Sequence, residues 1–375
     1  MLFRKAFKFR LESNAGQRQK LFQQAGCVRF VYNQALTKQR ECLATGEKLF
    51  TYHQLAGQVT LQKKEQQTLW LGEVHSQPLQ QALRDLDRAL RDGLQKKKGM
   101  PHFRAKGKHD TFRYPQGVKL LGNRVFLPKV GWVKFRKSRE VEGVIKNTTV
   151  SFCCGYWYVS LQTEIQIEAP VHPSQTGVGI DLGVKRFATF SNREYAEPLD
   201  SFRTMEERLA REQRRLARKV KGSKNWYKQK RKLARLHKRV ADIRRDYLHK
   251  LTDELSQNHA LIVIEDLKVS NMSRSARGTV ENPGTHVGQK SGLNKAILDQ
   301  GWYEFRRQLT YKMAWRGGEL RVVPPEYTSQ TCPECGHVDK ANRPTQERFC
   351  CVNCGHAGHA DEVAAQNIWY RGTTR

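Results

Sequence analysis

Four cysteines near the end of the chain have the residue types and spacing of a metal site. They form two Cys-x-x-Cys pairs, Cys332 with Cys335 and Cys351 with Cys354, and a glycine follows each pair. Each pair can bring two thiolates to one ion, and zinc takes four such ligands in a tetrahedral arrangement. The spacing therefore predicts a zinc ribbon with one structural zinc ion, with redox-active pairs and free thiols as the alternatives.

Three residues close to these pairs could change the set of zinc ligands. Cys350 is next to the third cysteine, so a shifted register is one alternative. His356 and His359 could compete as ligands because histidine is a common zinc ligand. Four thiolates already close the site, and a closed zinc site stabilises the local fold without doing chemistry.

Three carboxylates occur where predicted core elements begin or end. Asp361 opens a short apolar helix, Asp181 lies in the apolar stretch GVGIDLGV, and Glu265 ends the stretch LIVIE. The glycines beside Asp181 are predicted to leave room for an ion or a phosphate to approach the backbone. As alternatives, Asp361 could be an N-terminal helix cap, and an acid can end a strand simply to meet solvent.

Together the three carboxylates match a two-metal phosphodiesterase. Magnesium and manganese prefer carboxylate oxygens and water to thiolates. Two such ions can activate an attacking water and stabilise the leaving oxygen of a phosphodiester. The sequence therefore predicts a nuclease site for two magnesium or manganese ions, with Asp181, Glu265 and Asp361 as ligands.

The first part of the chain contains a strand, a helical region and then several short strands. Alternation of apolar and basic residues predicts the first strand, and helical spacing continues to about residue 95. Leu79, Leu83, Leu86 and Leu90 form an apolar stripe that is typical of core packing. Residues 96–167 are typical of a small barrel to which the N-terminal strand also belongs, and residues 168–176 have the composition of a linker.

The second part begins at Gly177 and carries the predicted nuclease site. A long basic helical pair is predicted over residues 203–255, and a strand buried on both faces over 260–267. Residues 268–294 have no periodicity, so they are predicted to be a loop, either disordered or a functional lid. A helix is predicted over 295–316.

The chain is strongly basic: its 375 residues include 67 Lys and Arg against 36 Asp and Glu, a formal net charge of +31. Nucleic acid is the expected partner, since a polyanion offsets self-repulsion on this scale. The basic segments lack the aromatic-rich apolar face of a membrane-surface protein. No apolar run approaches the roughly 18 residues of a transmembrane helix, and no signal peptide is present, so we expect a cytoplasmic protein without disulfides.

The basic helical pair is the main candidate for binding a phosphate backbone. A solvated surface without a ligand is the alternative. Aromatic residues at the break between the two helices offer stacking surfaces for bases. The candidate nucleic-acid-binding residues of this segment are Arg214, Arg215, Arg218, Lys224, Trp226, Lys230 and Arg231.

The order and spacing of several motifs resemble the TnpB family, transposon-encoded proteins related to type V CRISPR effectors. The motifs are GIDLGVKRFAT, IVIEDLKVSNM, TSQTCPECGHVDKANRPTQERFCCVNCG and ADEVAAQNI. The resemblance covers residues 177–370 closely, and it extends more loosely to the N-terminal part through LQQALRDLDRAL and PHFRAKGKHDTFRYP.

The resemblance implies an α/β fold combined with a β-barrel. An RNase H-like, RuvC-type nuclease domain would contain a zinc-ribbon insertion and would follow an oligonucleotide-binding-like wedge barrel with a helical recognition insert. The implied boundaries are 1–15 and 96–170 for the wedge barrel, 16–95 for the recognition domain, 177–327 and 359–375 for the nuclease domain, and 328–358 for the zinc ribbon.

The resemblance also implies RNA-guided cleavage of double-stranded DNA next to a short transposon-adjacent motif. The guide RNA would come from the end of the transposon, and the protein would act as a monomer with its RNA, associated with a bacterial nucleoid. Asp181, Glu265 and Asp361 match the catalytic triad of the family, Asp266 is a bystander, and Val363 stands where the family usually has Asn.

The N-terminal part would recognise the transposon-adjacent motif, because base pairing with the guide RNA recognises the rest of the target DNA. Glutamine can pair with an adenine edge, so the candidates are Tyr52, Gln77, Gln80 and Gln81, with a plain polar helix surface as the alternative.

Two other functions are compatible with parts of this pattern. The same fold and three acids serve transposases that transfer DNA strands. A guided DNA-binding regulator without cleavage would lack the triad that this chain retains.

Overall fold

The computed structural model describes residues 1–108, 110–200 and 202–374. The chain divides into two compact units, Met1–Ile167 and Glu168–Arg375. Residue 375, the last of the range expected for the nuclease domain, lies outside the described residues. Within the described residues, no helix is both long enough and apolar enough to cross a membrane.

The first unit is built on a seven-stranded antiparallel sheet. Its order is β2-β6-β7-β1-β5-β4-β3, so the N-terminal strand pairs with strands from the far end of the unit, as expected. No pairing between β2 and β3 is present among the described residues, so closure into a barrel stays a prediction. The strands are β1 (Leu2–Glu12), β2 (Thr111–Tyr114), β3 (Lys119–Leu121), β4 (Arg124–Leu127), β5 (Gly131–Phe135), β6 (Val144–Cys153) and β7 (Tyr156–Gln166).

Three α-helices and one short 3-10 helix, Gln66–Gly72, lie between β1 and β2 among the described residues. The α-helices are α1 (Ala15–Thr45), α2 (Tyr52–Gln62) and α3 (Ser76–Leu94). The four leucines of the α3 stripe are all buried, which confirms that the stripe packs in the core. Asn14 and Gln17 form a reciprocal capping box that starts α1.

The second unit contains a five-stranded mixed sheet of order β10-β9-β8-β11-β12. Strands β8, β11 and β12 are parallel, whereas β9 and β10 are antiparallel neighbours at one edge. The strands are β8 (Gly177–Asp181), β9 (Ala188–Phe190), β10 (Tyr195–Ala196), β11 (Leu261–Glu265) and β12 (Glu319–Val323). Ile262 and Ile264 of β11 pack on one face, and Val263 packs against Ile368 on the other, so β11 is buried on both faces as predicted.

Helices and a two-stranded sheet surround this core. The basic pair α4 (Glu206–Ala217) and α5 (Lys224–Asn258) is present where it was predicted, with a break at residues 218–223. The other α-helices and strands described here are α6 (Val269–Met272), α7 (Val287–Gln300), α8 (Trp302–Arg316), β13 (Arg348–Cys350), β14 (Ala357–His359) and α9 (Ala360–Thr373).

The predictions for residues 268–316 need correction. The predicted loop contains α6 and the start of α7, and the predicted helix 295–316 is two helices. Gly301 separates them because its φ of +74° is left-handed and does not continue an α-helix. This break places Trp302 at the start of α8.

Candidate active site

Two of the predicted acids lie side by side at the ends of neighbouring strands. Ile180 of β8 is in register with Ile264 of the parallel strand β11, so the next residues, Asp181 and Glu265, emerge at the same carboxyl edge. Ligands of open parallel sheets bind at this edge. Glu265 is only 7% exposed, and Asp181 is mostly buried.

Gly179 of β8 serves helix packing, which corrects the expectation that it leaves room for an ion or a phosphate, and a Cβ at Gly183 would lie 2.8 Å from the carbonyl oxygen of Arg186. A Cβ at Gly179 would lie 2.5 Å from the carbonyl oxygen of Ala365 and 2.7 Å from the backbone nitrogen of Trp369. Such contacts are too short for any side chain, so α9 occupies the space beside β8. Close packing of this helix brings its N-terminal residues to the strand ends.

Asp361 is in the first turn of α9, and it is not the helix cap. The cap is His359, whose Nδ1 accepts a hydrogen bond of 3.3 Å from the backbone N–H of Asp361. The alternative reading of Asp361 as a cap is therefore wrong. Its carboxylate is partly exposed and lies 3.6 Å from the guanidinium of Arg343.

The three acids lie close enough for their charges to interact. Burial, and then the negative charges of Glu265 and Asp361, raise the pKa of Asp181 to about 8. Burial also raises the pKa of Glu265 above its ordinary value, and the Thr328 hydroxyl opposes this by donating a 2.6 Å hydrogen bond to Oε1. A bound cation would stabilise the ionised form of such crowded carboxylates.

Asp266, the acid next to Glu265, is engaged elsewhere. Its carboxylate forms an ion pair with Arg306 of α8. This pairing gives Asp266 a structural partner, and its role as a bystander stays a prediction.

Sequence reasoning missed the residues that hold these acids in place. Arg343 lies between the two cysteine pairs, where several other basic residues are present, and nothing in its spacing distinguishes it. Thr328 reaches Glu265 across 63 residues, and its carbonyl oxygen accepts a 2.8 Å hydrogen bond from the Asn367 amide of α9. Only the tertiary structure connects these positions.

The four predicted cysteines converge on one point. Their Sγ atoms all lie within 4.8 Å of one another, and no other group of at least three His, Cys, Asp or Glu residues in the described part of the chain meets this limit. The Sγ–Sγ distances are 3.6 Å for Cys332 with Cys354 and for Cys335 with Cys351. Tetrahedral zinc–thiolate bonds of about 2.3 Å require sulfurs about 3.8 Å apart, so the four thiols fit a zinc ion.

The alternative zinc ligands are not part of this group. Cys350, His356 and His359 do not belong to the cysteine cluster, so the predicted register of the two pairs is confirmed. His359 instead caps α9.

The small core of the ribbon includes residues of α9. Cys332, Phe349 and Cys351 pack with Ala360 and Val363, all at most 3% exposed. Val363 therefore joins the ribbon to the turn that carries Asp361.

The predicted nucleic-acid-binding residues lie on and between the paired helices α4 and α5. The six basic ones are exposed, whereas Trp226 is half-buried beneath Lys230, whose Nζ lies 4.8 Å from the ring centroid. Arg215 pairs at 2.9 Å with Glu212, a buried carboxylate that sequence reasoning missed and that also contacts Lys232 and Gln229. A cleft of about 630 Å³ lies along the pair, lined by Lys219, Asn225, Lys228, Gln229, Arg231, Lys232 and Arg235.

The four residues predicted to recognise the transposon-adjacent motif have different surroundings in the first unit. Tyr52 is partly buried beneath Arg84, 5.1 Å from its ring centroid, and Gln81 accepts a 2.8 Å hydrogen bond from Arg113. Gln80 is exposed. Oε1 of Gln77 is buried and has no hydrogen-bond partner among the described residues.

Three parts of the chain match known protein families. Residues 1–48 match a family described as a helix-turn-helix domain, residues 160–276 the OrfB family of IS605, described as a probable transposase, and residues 302–368 the Cas12f1-like TNB domain. In this structure the first match spans a strand and one long helix. The third match contains the four zinc-site cysteines and Asp361.

Two relatives match nearly the whole chain. The chain is 53% identical over 365 residues to the putative RNA-guided DNA endonuclease InsQ of Escherichia coli (strain K12), covering 97% of this chain and 91% of the relative. It is 33% identical over 377 residues to a putative RNA-guided DNA endonuclease of Streptomyces pristinaespiralis, covering 97% and 88%. A structure of Cas12f1 with sgRNA and target DNA has a similar fold, with a TM-score of 0.53, 15% identity and 98% coverage of both chains.

Proposed function

The chain belongs to the TnpB family, and we propose that it is an RNA-guided DNA endonuclease whose active site contains Asp181, Glu265 and Asp361. The observation that carries the proposal is that Asp181 and Glu265, 84 residues apart along the chain, end neighbouring parallel strands at one sheet edge, and that the charge of Asp361 is near enough to raise the pKa of Asp181. Carboxylate oxygens are the ligands that hard divalent cations prefer.

The acids would hold two magnesium or manganese ions, which supply an activated water and stabilise the leaving oxygen when bound. Asp181 and Glu265 would fix the ions to the rigid sheet, and Asp361 would close the site from α9. Thr328 keeps one carboxylate oxygen of Glu265 oriented. The guanidinium of Arg343 lies beside Asp361. From this position the guanidinium can contact a phosphate oxygen of the substrate.

The domain assignment follows from the same proposal. The five-stranded sheet with α9 packed on β8 would be the RuvC-type, RNase H-like nuclease core, over residues 177–327 and 359–375, with a zinc ribbon at 328–358. The sheet of the first unit would be the wedge barrel, over 1–15 and 96–170, and its helices the recognition domain, over 16–95.

The partners would be a guide RNA from the transposon end and a double-stranded target DNA, with one protein chain bound to its RNA. The formal charge of +31 and the exposed cations of α4 and α5 support nucleic acid as the partner. Tyr52, Gln77, Gln80 and Gln81 remain the proposed readers of the transposon-adjacent motif.

Sequencing of copurifying nucleic acid tests the proposal directly. The protein is expressed with its native flanking DNA, and we expect a discrete RNA with a constant scaffold and one end that matches the flank. Heterogeneous host RNA would contradict the guided function. If the loaded protein produced joined DNA strands instead of cut ends, strand transfer would replace hydrolysis as the assigned reaction.

Thr328 gives a test of how the site is positioned. Thr328→Val keeps the side-chain shape but removes the hydroxyl that binds Glu265, so we expect cleavage to fall about 10- to 100-fold, as for other residues that orient metal ligands. The magnesium concentration for half-maximal cleavage should rise as well, and it is measured by titration at fixed ionic strength.

Thr328→Ser is the matched control, because serine keeps a hydroxyl at the same position and should restore most of the rate. An unchanged rate and an unchanged magnesium requirement in the valine variant would show that Thr328 does not position Glu265.

A further inference from the structure

A cleft of about 540 Å³ opens beside Glu265, between the end of β11 and helices α6, α7 and α8. This volume is in the range of small-ligand pockets, about 300–1,000 Å³. Glu265 and Leu182, the residue after Asp181, both contribute to its lining. Any group that enters the cleft therefore lies next to the proposed metal ligands.

Trp302 lines this cleft and is almost completely buried. The side chain is only 4% exposed, and its indole nitrogen has no hydrogen-bond partner among the described residues. An indole N–H can only donate, and a buried donor without a partner is destabilising. Because this nitrogen is shielded from solvent, it is not part of the contact surface that the cleft offers.

Next to this donor, the wall offers exposed apolar surface. Tyr303 is 74% exposed and Leu298 is 54% exposed, although both line the cleft. Aromatic side chains exposed in this way are stacking platforms for unpaired bases in single-stranded nucleic acid sites.

The wall also carries positive charge. Arg306 pairs with Asp266, whereas Lys268 is exposed and has no carboxylate partner among the described residues. An ammonium group in this position can bind the phosphate of a nucleotide whose base occupies the apolar part of the cleft.

We propose that this cleft holds the nucleotide beside the scissile phosphodiester. Its base stacks on Tyr303, and Lys268 contacts its phosphate. The strand is single-stranded at this point, because a base within a duplex does not expose its face. This inference rests on the proposed endonuclease function and adds a nucleotide subsite to it.

Single-turnover cleavage by the guide-loaded protein tests the subsite. The target strand is tethered in the guided complex, so the observed rate scales with the fraction docked in the cleft. We expect Tyr303→Ala to slow cleavage about 10-fold, the loss typical of removing one base–aromatic stack. Tyr303→Phe keeps the ring and should cut at nearly the wild-type rate.

A modified target then identifies the partner of Tyr303. We expect an abasic site at the nucleotide beside the mapped cut to slow the wild-type protein about as much as Tyr303→Ala does. Combining the two changes should give no further loss, because both remove the same contact. Tyr195→Ala, a half-exposed tyrosine of β10, is the matched control and should have no effect.

Two results would overturn the subsite: a normal rate for Tyr303→Ala, or losses that multiply when the variant meets the abasic target. Failure of the proposed function would look different, since the wild-type protein with its guide would then cut no target at all, and the subsite would fall with it.

Discussion

Asp181→Ala is expected to abolish target cleavage, with a loss of more than about 10³-fold, while guide RNA and target DNA remain bound. The substitution removes a carboxylate that the structure places beside Glu265 and near Asp361, and no other acid takes its position at the end of β8. Binding should persist because the exposed cations of α4 and α5 are unaffected. Cleavage is measured by single-turnover product formation, and binding by gel shift with the same complexes.

Asp361→Ala should give the same result, and it has a matched control on the same helix turn. Glu362→Ala removes the neighbouring carboxylate, whose charge is not among the main causes of the raised pKa of Asp181. We expect the Glu362 variant to cut within about 3-fold of the wild type, as surface changes outside such a site usually have small effects. Equal rates for Asp181→Ala and the wild type would exclude the metal-site assignment.

The elements that carry the site could be predicted from local sequence. Continuous apolar residues identified β11 as a central strand, and the spacing of Cys332, Cys335, Cys351 and Cys354 identified the cysteine cluster with its correct register. These signals are local, because strand burial and metal-ligand spacing are both encoded within a few residues of the chain.

The contacts that position the acids could not be predicted in the same way. Thr328 reaches Glu265, and Arg343 reaches Asp361, only after the ribbon has folded against α9. Gly179 was interpreted as space for a ligand because a glycine beside an acid permits close approach, but the approaching group is α9 itself. A glycine beside an acid indicates that another group packs closely against the backbone, but only the tertiary structure identifies that group.

Val363 shows how a departure from a family pattern can acquire a structural explanation. The family usually has Asn at this position, and here the valine packs with Cys332 and Phe349 in the core of the ribbon. An apolar side chain suits that position, since an amide there would need buried hydrogen-bond partners. The ribbon core therefore extends into the first turn of the helix that carries Asp361.

Through this shared core, a zinc ion bound by the four cysteines would affect the position of Asp361. β14 runs directly into α9, the backbone N–H of Ala360 donates a 2.8 Å hydrogen bond to the carbonyl of Glu347, and Asn367 binds the carbonyl oxygens of Thr328 and Thr331. A buried cluster of five residues is too small to fold without its metal, because structural zinc supplies most of the folding free energy of such modules. Loss of zinc should therefore release both Asp361 and the Thr328 segment.

Cys351→Ser is accordingly expected to lose the zinc ion and to lower cleavage more than about 10²-fold, with guide RNA binding retained. Zinc content is measured by atomic spectroscopy, and unfolding of the ribbon by new proteolytic cuts within residues 328–359. Cys350→Ser is the matched control, because its thiol lies one residue away but outside the cluster, and it should keep both zinc and activity. If the Cys351 variant lost zinc and still cut at the wild-type rate, the ribbon would have no part in placing Asp361, and the acid would be held by the packing of α9 on β8 alone.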